Sequence, residues 1–312
     1  MSHDTGSATG VSGTSPETPP PAVNSDIEIS KRRRWPLIAG ALVVVAVLGG
    51  VLGWRFLGSD EASPNETPGA TLTVVTAEGN AAEQALVEFI AEEVAPKYDI
   101  KVAFKGLADS TTLNRAVSDG EVAGTIYQHK LWLSQVLEAN PDFKEVAATP
   151  VFRWGFGIWS DKYKTPQDLP QNAKVSLYSD PANEAQGLWL LERAGLITLK
   201  PGIDKWKATQ KDIATNPRNL QFVLLDFAAQ SRSLADLDAT VGYTEYYLAA
   251  NIPIEKQIYA PPAPDEFAGQ LTIGTEWENT DNIKNLVAAF KDPAVQEFLA
   301  TDPQVKNILL PL

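Results

Sequence analysis

From Thr71 to the C-terminus, short apolar, β-branched runs alternate with segments whose apolar residues recur every three or four positions. "TLTVVT" (71–76) predicts a strand, which "AEGN" breaks. Asn80 with Glu83 three residues on has the form of a capping box. Leu86, Phe89, Ile90 and Val94 follow at helical spacing, and Pro96 predicts the end of that helix. "IKVAF" (100–104) is a second strand, "STTLNRAVSDG" a short helix stopped at Gly120, and "AGTIY" a third strand. "GFGIWS" (155–160), "AKVSLY" (173–178), "QFVLLD", "ATVGYT" and "LTIGT" (271–275) read as further strands. In "DPANEAQGLWLLERAG" Asn183 and Gln186 predict a capped helix start, Asp180–Pro181 a turn, and Gly195 a left-handed stop. Short helices are expected at 281–290, 293–300 and 303–309. The alternation predicts an α/β fold with largely parallel sheets and no internal repeat.

The texture ahead of Thr71 is different. Residues 1–30 are rich in Ser, Thr, Gly and Pro and hold too few large apolar side chains to offset the entropy of ordering, so they are expected to be a disordered tail. Lys31, Arg32, Arg33 and Arg34 form a basic cluster, and from Trp35 to Trp54 no residue is charged. A run of that length matches a hydrocarbon core of ~30 Å at 1.5 Å per residue, with a Trp at each end where indoles favour the interface. It exceeds the usual h-region of a signal peptide and follows a long polar tail. The expectation is a single-pass anchor over 31–58, the N-terminus cytoplasmic, a polar linker over 59–70, and an extracytoplasmic domain over 71–312.

Composition narrows the function. A net charge of −13 argues against nucleic acid as a partner, because phosphate recognition needs a basic surface. The chain has no cysteine, which removes disulfides, thiolate chemistry and a lipid anchor on a lipobox cysteine. Of two histidines, His3 lies in the tail. His129 therefore has no second imidazole, no G-x-S-x-G serine accompanies it, and no metal-ligand spacing surrounds it. Packing, helix capping and cleft lining stay open for it; neither catalysis, a metal nor a cofactor is expected.

Ligands of open α/β sheets bind beyond the carboxyl ends of strands. Those ends here are "TAEGN", "YQHK" (127–130), "YSDPAN" and "GYTEYY" (242–247), each running into a helix. Helix N-termini present free N–H groups, so these four loops define a candidate cleft.

These stretches also carry a resemblance. "TIYQHKLWLSQ", "FGIWSDKYKTPQDLP", "SDPANEAQGLWLLERAGLITLKPG" and "ATQKDIATNPRNLQFVLLDFAAQSRSLADLDATVGYTEYYLAANI" resemble the NlpA-type methionine-binding lipoproteins, the substrate-binding proteins of methionine ABC importers, in the same order and at near-identical spacing from about Thr71 onward. The resemblance implies a two-lobed periplasmic-binding-protein fold (type II-like), with lobe one over 71–152 and 258–312, lobe two over 153–257, and the ligand between them. It implies a small-molecule ligand, an ABC permease as partner, and a monomer attached to the membrane, here by its own helix.

Carried over residue by residue, the family's site falls on Tyr127, His129 and Trp132, which are kept or conservatively changed. Ser110 stands where the family has a tyrosine, Gln186 where it has the arginine that grips the ligand carboxylate, and Tyr243, Thr244, Glu245 and Tyr246 where it has N-G-N-Y. Asn183 is expected at the cleft edge as well as at the helix cap, with Trp154 near a crossover and Glu78 in a loop facing the cleft. Gln186 lacks the charge of a bidentate guanidinium, and Glu245 repels a carboxylate. These departures point to a less anionic or cationic ligand between aromatic walls. A membrane-anchored sensor built on the same fold is the alternative to transport; an enzyme reusing the fold is a weaker one.

Overall fold

The computed structural model describes residues 62–312. Its strands are β1 (Thr71–Ala77), β2 (Lys101–Leu107), β3 (Gly124–His129), β4 (Glu145–Trp154), β5 (Phe156–Trp159), β6 (Lys174–Tyr178), β7 (Thr198–Leu199), β8 (Ile213–Thr215), β9 (Gln221–Leu225), β10 (Thr240–Tyr243), β11 (Gln257–Tyr259), β12 (Ala268–Gly274) and β13 (Leu309–Leu310). Its α-helices are α1 (Ala81–Phe89), α2 (Ser110–Ser118), α3 (Lys130–Ala139), α4 (Pro181–Arg193), α5 (Phe227–Arg232), α6 (Thr244–Ala249), α7 (Asp281–Phe290) and α8 (Pro293–Thr301).

Two main bodies of sheet result, beside a separate antiparallel pair, β7-β8. The first has six strands in the order β13-β4-β12-β3-β1-β2. The second is built on β10-β5-β11, with the parallel pair β6-β9 joined to it by a Val175–Ala239 bridge just before β10. Strands inside these sheets are covered on both faces. Every residue of β12 and β10 is buried, as is most of β6, and such strands read as continuous apolar runs instead of alternating ones. Helix α4 is buried from Ala182 through Leu191, which places Trp189 in the core.

The chain passes from the first sheet to the second at Gly155, between β4 and β5. A Cβ there would lie 2.7 Å from the Asn307 carbonyl and from Thr244 Oγ1, so only glycine lets the chain pass this closely between the turn before β13 and the start of α6.

Several expectations are corrected. The sheets are mixed: β1 pairs parallel with β2 and β3, but β12 runs antiparallel to both β3 and β4, and β5 is antiparallel to β10 and β11. Residues 145–154 form a ten-residue strand that the pattern did not predict. Pro150 argues against a central strand, yet it sits opposite Gln270 at a register shift, where a missing N–H is tolerated. Pro96 does not end the first helical segment; the chain tightens into a 3₁₀ turn through Ala95–Tyr98 and stops at Asp99 in the left-handed region. The expected helix at 303–309 is a series of turns leading into β13.

Candidate functional site

The side chains that end strands also start helices. Asp109 caps α2, Asp180 caps α4 and Asp226 caps α5, each accepting the N–H three residues on. The cap of α4 is therefore Asp180 and not Asn183, because Pro181 occupies the first helical position and needs no hydrogen-bond acceptor. Asn183 is released for another role. Asn80 caps α1 through the Glu83 N–H at 3.1 Å, but Glu83 does not reach back as a capping box requires; its side chain turns inward. At α3 the cap is His129 itself, whose Nδ1 accepts the Trp132 N–H at 3.1 Å.

A cavity of about 230 Å³ opens where these helix starts converge. All four predicted strand-end loops line it, through Asn80 and Glu83, Tyr127 and His129, Asn183, and Tyr243, Glu245 and Tyr246. Ser110, Trp132 and Trp154 line it too. Two candidates do not. Gln186 is buried behind Tyr243, one layer out, and Glu78 is exposed on the turn before α1, where left-handed Gly79 directs the chain so that Asn80, not Glu78, enters. Phe227, at the start of α5, is a lining residue the sequence reading missed. It follows strand β9 directly, so the strand-end rule applied there would have found it. Local pattern gives Asn80 and Glu83 only the role of a cap, and both line the cavity.

The walls are aromatic. Trp132 meets Phe227 edge-on at 6.0 Å, Phe227 stacks on Tyr243 at 6.1 Å, and Trp154 stands edge-on to both Tyr243 and His129. Hydrogen bonds set the orientation of the ring edges. The Tyr127 hydroxyl accepts from Asn114 at 2.5 Å and from the Trp132 indole at 3.3 Å, and burial pushes its pKa up to about 12.

His129 is buried and its Nδ1 is committed as an acceptor, so the ring proton sits on Nε2, which faces Asn183 Oδ1 at 3.5 Å. Burial pushes its pKa down to about 4, against a small upward pull from Asn183, and the ring is neutral near pH 7. Helix capping and cavity lining are thus combined in one residue.

Asn183 is held by Asp180 through its amide nitrogen at 2.9 Å and accepts the Tyr243 hydroxyl at 2.5 Å. Tyr243 also lies 2.7 Å from the Gln186 amide. A hydroxyl has one proton, so both contacts are satisfied when Gln186 presents its NH₂ to Tyr243 and Tyr243 donates to Asn183. Tyr243→Phe is expected to destabilise the protein by about 1–3 kcal/mol, because Asn183 and Gln186 then keep buried polar atoms without their partner. Thermal denaturation checks this; an unchanged melting temperature would show the network to be dispensable.

The cavity contains a neutral histidine, no paired nucleophile and base, and walls that enclose rather than activate. Fold and cavity together define a two-lobed small-solute-binding protein. Residues 72–310 match the profile of the NlpA lipoprotein family, and the chain belongs to that family, whose members serve as solute-binding proteins. The methionine-binding lipoprotein MetQ of Bacillus subtilis is 31% identical over 206 residues, covering 65% of this chain and 74% of its own. The D-methionine-binding lipoprotein MetQ of Salmonella typhi is 27% identical, covering 81% and 91%. Among solved structures, a periplasmic substrate-binding protein of an ABC transporter from Coxiella burnetii is 31% identical, with a TM-score of 0.68 over 77% of this chain and all of that one. A nutrient-binding protein from Burkholderia cenocepacia bound to methionine is 30% identical, with a TM-score of 0.64 over 77% and 98%.

The relatives correct the expected localisation. They are lipoproteins, and among the described residues no helix is long and apolar enough to cross a membrane. A single-pass transmembrane protein with a cytoplasmic N-terminus does not stand; the segment 31–58, on which it rests, lies outside the described residues.

Proposed function

We propose that this chain is the extracytoplasmic capture component of an ABC importer, binding one small organic solute per monomer and delivering it to a permease. The observation that carries the reading is the aromatic cavity of about 230 Å³ at the meeting of four strand ends. It is smaller than the ~300–1,000 Å³ pockets of drug-sized ligands, which suits a solute of amino-acid size. The names of the relatives support a methionine-like shape. Tyr127, His129, Trp132, Ser110, Asn183, Tyr243, Glu245 and Trp154 are proposed to contact the solute, with Phe227 added and Gln186 acting through Tyr243. The lobes are proposed as 71–152 with 258–312, and 153–257. The change of sheet at Gly155 supports the first boundary, and β11 carries the second body on to Tyr259.

Native mass spectrometry of the full chain, purified without added ligand, tests this. One retained small molecule per chain is expected, and Trp132→Ala is expected to lose it. Absence of any retained molecule, together with no thermal stabilisation by a panel of amino acids and amines, would overturn the reading.

A further inference from the structure

Two neighbouring carboxylates line the cavity, one from α1 and one from α6. Glu83, on α1, is 1% exposed. Its Oε1 accepts the Trp154 indole N–H at 3.2 Å, while its Oε2 is buried with no hydrogen-bond partner among the described residues. The nearby Thr76 hydroxyl is its one neighbouring donor, shared with the Ala77 carbonyl at 3.2 Å. Glu245, on α6, has one oxygen accepting from Asn80 Nδ2 at 3.1 Å. Asn80 therefore ties the two acids together, since its other amide atom receives the Glu83 backbone N–H. A third acid, Asp109, stands in the lining, and no lining residue among those described is Lys or Arg. His129 adds no charge, because burial holds its pKa down.

A buried carboxylate oxygen short of donors is costly, and two neighbouring carboxylates repel. Burial and the charge of Glu245 push Glu83 well above the usual carboxylate range, and burial brings Glu245 up to about 7. One kind of ligand relieves both costs. An ammonium group brings a positive charge and several N–H donors, and Trp154, Tyr243 and Tyr246 line the same space; aromatic rings favour a cation. The carboxylate of a free amino acid has no cation to meet here and faces acids instead.

Building on the solute-binding reading, we infer that the solute is a protonated organic amine without a free carboxylate, its ammonium seated between Glu83 and Glu245 and its apolar body against Trp132 and Phe227. This names a ligand class that differs from the zwitterion bound by the relatives.

Calorimetric titration of the full chain with three probes of one shape tests it: 3-(methylsulfanyl)propylamine, L-methionine and 3-(methylsulfanyl)propanoate, with phenethylamine as a second amine. At least tenfold tighter binding of an amine than of methionine, and no binding of the propanoate, are expected. Glu83→Gln and Glu245→Gln are each expected to weaken amine binding tenfold or more. Neither should lower the melting temperature of the ligand-free protein at pH 8, because each removes an acid whose charged form the fold disfavours; this separates loss of binding from loss of fold. Methionine binding as tight as the amines, amine affinity unchanged in both variants, or no measurable binding of either amine would each overturn the inference. If a small molecule is still retained in native mass spectrometry when the amines fail, the inference falls and the capture function stands.

Discussion

Trp159→Ala is expected to lower the stability of the folded chain by about 3–5 kcal/mol, the usual range for truncating a large aromatic core residue. Trp159 is fully buried in β5, stacks on Tyr247 at 4.1 Å with the rings 3° from parallel, and donates its indole N–H to the Gly242 carbonyl at 3.3 Å. Tyr247 in turn donates to Thr240 at 2.7 Å. Alanine leaves a cavity, an unpaired carbonyl and an unsupported ring at once. Gly242 directly precedes Tyr243, so the loss reaches the cavity wall, and solute binding is expected to weaken along with stability. Thermal denaturation is the measurement, with a fall on the order of 10 °C expected. A fall of only one or two degrees would mean that the second sheet does not depend on this pair.

The ligand-free protein is expected to lose stability as pH rises from 6.5 to 8. Glu145, at the start of β4, is buried with both carboxylate oxygens unpartnered, and burial raises its pKa to about 8. Glu245 and Glu83 are raised as well, for the reasons given above. A carboxyl whose folded pKa exceeds its unfolded value makes the folded state hold more protons. Its contribution is whole below the unfolded pKa of 4.5 and is lost as pH climbs through the folded one. His129 runs the other way: its folded pKa is below the unfolded 6.5, so its contribution grows between about 4 and 6.5 and is complete above. The window above 6.5 therefore isolates the glutamates. For Glu145 it covers about 1.5 pH units, or roughly 2 kcal/mol at 1.36 kcal/mol per unit. That corresponds to about 4–8 °C in melting temperature. Glu145→Gln should flatten most of the slope. A wild-type melting temperature constant over this window would show that the Glu145 carboxylate is solvated or paired in solution.

How much was legible beforehand follows from what local pattern encodes. The strands β1, β6, β9 and β10 were readable because short apolar runs between turn residues form strands almost wherever they fall. β4 was not, because Pro150 contradicts a strand locally and is tolerated only through its register with β12, more than a hundred residues away. The four strand-end loops were identified from a general rule about α/β sheets, and the cavity lies on all four. The helix caps were assigned less well. Asn183 and Asp180 are both good capping residues three apart, and Pro181 with the inward pull of Tyr243 settles which of them caps.

By itself the sequence determined the element types over most of 71–301, the strand ends that carry the site, and the family, because each is recorded in short-range periodicity and motif spacing. Tertiary structure alone decided the mixed strand order, the position of Gln186 behind the wall, and the turning of Glu83 away from its own helix start into the cavity. It also brought Asn80 onto Glu245 across 165 residues. The physical reason is that capping and amphipathic period are settled within a turn or two of chain, whereas the company a carboxylate keeps depends on which distant strands cross. Here that company, two acids without a cation, is what separates this cavity from a site for an amino-acid carboxylate.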